Sequence, residues 1–161
     1  MSGALILTLC ALAGVTGYAA LHRAVVGLQQ PVNRTHLLFS CMSAAVTLYV
    51  IAKVIGYRAD SAGDLVSARR LEVAAAIVIG GLMPWFVSAY LDTRRRFVEI
   101  ATTVFCAVFF LLTLALPFGL VFSAMPSLTR ITFPWGETLT DTRVHDRTTV
   151  FAIGLSGMFV S

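Results

Sequence analysis

Apolar residues in this chain neither alternate nor recur once per helical turn; four times they run on for about twenty residues with few charges. At a rise of about 1.5 Å per residue, such a run matches a hydrocarbon core about 30 Å thick. The predicted spans are 2–21, 37–57, 73–91 and 98–122. Helical continuation past the first span is expected to stop at Pro31, and Pro117 falls near the far end of the fourth, where few backbone bonds depend on it. A fifth run, 148–161, reaches only about 21 Å and predicts an incomplete span. The chain therefore reads as the front of a larger membrane protein.

One long polar connection, 123–147, separates the fourth run from the fifth. Within it Leu128, Ile131 and Phe133 approximate strand alternation ahead of Pro134-Trp135-Gly136-Glu137, a turn-like sequence. The predicted fold class is all-α integral membrane: a polytopic helical bundle with four complete transmembrane helices, an incomplete fifth and a short β-hairpin-like outer loop. Residues 1–161 form a single membrane domain in this reading, with any output domain lying elsewhere.

Composition agrees. With 58% hydrophobic and 12% charged residues, and a mean hydropathy of +0.85, the chain has more apolar surface than a soluble core of this size can hide. The net charge of +4 would point to nucleic acid in a soluble protein, but eleven of the twelve cations are Arg placed between apolar runs. The bilayer and its head groups are the expected partner, and nucleic acid is not. Cys10, Cys41 and Cys106 all sit inside apolar runs without Cys-x-x-Cys spacing, so neither a disulfide framework nor a zinc site is expected.

Charge also sets the expected topology. Arg94, Arg95 and Arg96 crowd one short loop at the membrane, whereas Arg58, Arg69 and Arg70 are spread among acids in the second loop. The tight cluster favours a cytoplasmic third loop and hence an outside N-terminus.

Candidate chemistry is sparse. Trp135 and Glu137 in the outer loop, with Trp85 in the Pro84-Trp85-Phe86 segment of the third span, are the candidate ligand or sensing residues. Lys53 near the end of the second span and Glu72 at the start of the third form a candidate interhelical ion pair, which a charge swap is expected to rescue. Glu99 follows Arg95 and Arg96 at helical spacing and is expected to pair with them. His22, Arg34 and His36 gather near one membrane face, yet interfacial placement beside arginines argues against haem or metal. No cofactor, metal or catalytic residue is assigned: no hydrolase, zincin or phosphate-loop motif occurs, and no carboxylate stands mid-span for an ion relay.

Several short motifs recur together: Ala20-Leu21-His22 with Gly27-Leu28 and Pro31, Arg34-Thr35-His36-Leu37-Leu38-Phe39, Tyr57-Arg58-Ala59, Pro84-Trp85-Phe86-Val87, Leu116-Pro117-Phe118-Gly119-Leu120 and Phe133-Pro134-Trp135-Gly136-Glu137. In this order they resemble the N-terminal seven-transmembrane sensory region that precedes PAS, histidine-kinase or GGDEF output domains in bacterial signalling proteins, here truncated. The resemblance implies an inner-membrane input domain with its N-terminus outside, a homodimer in the full-length form and a cytoplasmic signalling output domain as partner. It implies no enzyme activity in this stretch. The competing readings are a fragment of a transporter or channel and a small membrane scaffold protein.

Overall fold

The computed structural model describes residues 4–29, 34–92, 96–116, 128–132 and 138–142. Four long helices dominate: α1 (Ala4–Gln29), α2 (Arg34–Tyr57), α3 (Ala62–Tyr90) and α4 (Arg96–Ala115). Each is long and apolar enough to cross a membrane, which makes this a helical membrane protein. Two five-residue strands, β1 (Leu128–Thr132) and β2 (Thr138–Thr142), pair antiparallel with Thr132 opposite Thr138. The Pro134-Trp135-Gly136-Glu137 segment and the expected fifth span 148–161 lie outside the described residues.

The helices pack in chain order, α1 on α2, α2 on α3 and α3 on α4. Among the described residues α1 and α4 share no comparable interface, so the expected bundle is an open row rather than a closed ring. The interior of this row is built mostly from small residues: Ala20, Ala45, Ala52, Ala59, Ala68 and Ala75 are buried, while Leu7, Tyr18, Leu21 and Phe97 point outward. That inversion fits a lipid surround, where large side chains gain nothing by burial and close backbone approach supplies the dispersion contacts.

Hydroxyls stitch the row together. Thr16 and Thr47 share a hydrogen bond of 2.8 Å across α1 and α2, and the Ser40 hydroxyl donates to the Ala20 carbonyl at 2.7 Å. At the α1–α2 turn Gly27 is pressed against Leu37, where an added Cβ would lie 2.9 Å from the Leu37 side chain and 3.3 Å from its backbone nitrogen. Gly27→Val is therefore expected to destabilise by about 1–3 kcal/mol through overpacking. Gly14→Ala, at a site with nothing within 4 Å, should be neutral or slightly stabilising. Thermal unfolding of both variants in detergent checks the contrast.

The third helix begins at Ala62, well ahead of the predicted span boundary at 73. Sequence polarity between 62 and 70 resembles a loop, but Ser61 caps a helix there. Its side chain accepts from the Asp64 N–H at 3.1 Å and donates to the Asp64 carboxylate at 2.7 Å. The remaining connection tightens through Arg58 and Ala59 N–H bonds back to Val54, Ile55 and Gly56. At 29 residues α3 is about 43 Å long, so one end extends beyond a hydrocarbon core about 30 Å thick. The other end closes on Asp92 with φ of 51°, a left-handed position that Asp tolerates better than most residues.

Candidate functional site

Antiparallel packing brings the end of α2 beside the early turns of α3, and there the charges meet. Lys53 Nζ lies 2.9 Å from Glu72 Oε1, while Arg69 holds the other carboxylate oxygen at 2.6 Å from its own helix. Glu72 is therefore shared by two cations, and the pair considered from sequence is a triad. The rings of Tyr49 and Tyr57, one turn either side of Lys53, stand 5.6 and 6.0 Å from its ammonium and add cation–π attraction. All three charged side chains are largely shielded, at 25% exposure for Lys53, 17% for Arg69 and 12% for Glu72. In such surroundings the attraction outweighs what an exposed surface pair would give.

Arg70 does something that span-by-span reading did not anticipate. It reaches from α3 to the last turn of α4, donating from Nε to the Thr113 carbonyl at 3.3 Å and from a terminal nitrogen to the Leu114 carbonyl at 2.6 Å. The last carbonyls of any helix lack internal donors. Here the shortfall is enforced by sequence, because residue 117 is Pro and has no N–H to offer the Thr113 carbonyl four residues back. The guanidinium also places positive charge at the negative end of the α4 dipole. Pro117 was the available signal, but the donor that serves the Thr113 carbonyl lies 43 positions earlier in the chain and depends on the register of two helices.

Toward the other membrane face, α3 and α4 leave a lateral groove of about 410 Å³ between them. Ile77, Gly81 and Trp85 line it from α3, and Thr103, Ala107 and Leu111 from α4. Gly81 sets the spacing at the floor, where an added Cβ would stand 3.3 Å from that of Cys106. Trp85 is held by its indole N–H, which donates to Thr103 Oγ1 at 2.8 Å, and the Thr103 hydroxyl donates in turn to the Glu99 carbonyl at 2.7 Å. Both donors in the groove are committed to protein acceptors, so what the groove offers a visitor is apolar surface.

The remaining sequence candidates separate. Trp135, Glu137, Arg94 and Arg95 lie outside the described residues, so the structure does not join the outer-loop candidates to Trp85. Arg96 is exposed in the first turn of α4, and Glu99 is buried at 5% exposure without an ion pair to Arg96 among the described residues. His36 takes a 3.2 Å hydrogen bond with Arg23, whose guanidinium sits 5.7 Å from the Phe39 ring. His22 stacks on Tyr18 at 6.0 Å. Among the described residues no three His, Cys, Asp or Glu side chains gather into a metal-binding group. No family model, curated protein or solved structure matches the chain.

Proposed function

We propose that this chain is the membrane-embedded input region of a bacterial signal-transduction protein, passing a ligand or membrane stimulus to a cytoplasmic output domain by repacking its helices. The observation that supports the reading is the different character of the two α3 interfaces. Against α2, α3 is locked by a three-charge cluster. Against α4, it meets an apolar groove and polar ties at Trp85 and Arg70. A stimulus that binds one α3–α4 packing better than another shifts their ratio by the difference in its affinities. In this reading the protein lies in the inner membrane with its N-terminus outside, the Arg94, Arg95 and Arg96 turn in the cytoplasm, the Trp135 hairpin capping the outer face and a homodimer as the working form.

Two measurements test the proposal. Reporter fusions at 93 and at 60 are expected to report cytoplasm and exterior respectively; the opposite pattern overturns the arrangement. Sequencing the coding region past residue 161 is expected to show further spans and then a PAS, histidine-kinase or GGDEF segment. A continuation into a transport domain would overturn the signalling role.

A further inference from the structure

The α3–α4 groove and Arg96 lie along one line of the protein surface. Arg96 and Thr103 are seven residues apart on α4, two helical turns, and so fall on nearly the same face. Going from Arg96 toward the bilayer centre, the surface passes from an exposed guanidinium to the Trp85–Thr103 pair and then to the apolar slot ending near Ile77. From Trp85 to Ile77 the slot runs about 12 Å along α3. We propose that this surface binds one membrane phospholipid, with an acyl chain in the groove and its phosphate on Arg96.

Four features select this occupant. The groove opens sideways between two helices that are long and apolar enough to cross a membrane, so hydrocarbon chains are the medium at its mouth. Its hydroxyl and indole donors are already bonded within the protein, which leaves a polar solute without partners and penalises its entry. Its volume of about 410 Å³ lies in the range of small-molecule sites, about 300–1,000 Å³, and suits a flexible chain rather than a helix about 10 Å across. Arg96 adds a planar cation at head-group depth that makes no ion pair among the described residues. This inference deepens the sensory reading by naming the ligand class, but its test reads binding alone.

The chain contains two tryptophans, Trp85 and Trp135, so the Trp135→Phe variant leaves Trp85 as sole reporter. Phosphatidylglycerol brominated on its acyl chains, titrated into this protein in mild detergent, is expected to quench the emission along a saturable curve. Ala107→Phe and Val78→Phe, at exposed positions lining the groove, should each weaken the apparent affinity tenfold or more. Arg96→Gln should weaken it severalfold while leaving the final quenching depth unchanged. Quenching that rises linearly without saturating would mean bulk contact only and would overturn the site. So would a saturable curve that both Phe variants leave in place. A failure here leaves the topology and downstream-domain tests of the sensory role untouched.

Discussion

Arg70→Leu is expected to lower the unfolding free energy by about 2 kcal/mol. Two carbonyls lose their charged donor at once; the part-buried Thr113 carbonyl left unsatisfied costs about 1–3 kcal/mol, and the exposed Leu114 carbonyl adds less. Arg70→Lys should recover less than half of the loss, since an ammonium lacks the planar fork that spans Thr113 and Leu114. The decisive comparison is a double-mutant cycle with Pro117→Ala. Restoring an N–H at 117 gives the Thr113 carbonyl a donor of its own, so the Arg70→Leu penalty should shrink in that background. Equal penalties in both backgrounds, measured by unfolding in mixed micelles, would show that Arg70 acts by charge alone.

The second large effect is expected at Glu72. Glu72→Gln leaves Lys53 and Arg69 close together with no carboxylate between them, and should cost about 2–4 kcal/mol, toward the lower end because the side chains keep some exposure. Lys53→Met should cost less than Glu72→Gln, because Arg69 still satisfies the carboxylate. The triad also changes the outcome of exchanging Lys53 and Glu72. With Lys at 72, Arg69 faces a like charge one turn away on its own helix, so the swap is expected to rescue only part of the loss. Full rescue in a thermal-unfolding series would mean that Arg69 plays no part.

Much of the helical framework was legible because uninterrupted hydropathy is a coarse signal that survives local detail. The start of α3 was harder. Asp64, Arg69 and Arg70 read as loop when polarity is equated with the absence of helix, yet a capped helix carries its charges past the membrane boundary without unwinding. The Ser61-x-x-Asp64 capping pattern was the local clue. Lys53 and Glu72 were open to inference because consecutive antiparallel helices bring the end of one beside the start of the next. Arg69 takes part through i,i+3 geometry that becomes relevant only once residue 69 is known to be helical.

The groove at Trp85 belongs to another level. Pro84-Trp85-Phe86 marks an unusual segment, but whether Trp85 seals an interface or lines an opening depends on Gly81, Cys106 and Thr103 meeting it from both helices. No periodicity in either helix alone encodes that register. Glu99 is instructive in the same way. Its spacing from Arg96 permits a pair along one helix, while its burial follows from the turn of α4 that packs toward the interior.

The chain-order row of helices has a consequence for biogenesis. Four helices that, among the described residues, pack chiefly on their successors can complete each interface as soon as the second partner is delivered into the bilayer. Ser40 can find the Ala20 carbonyl, and Glu72 can find Lys53, while later codons remain unread. The α3–α4 ties, Trp85 to Thr103 and Arg70 to the Thr113 and Leu114 carbonyls, must be held in reserve until α4 arrives, and Arg70, whose acceptors come last in the chain, makes the closing step of assembly for the four-helix row.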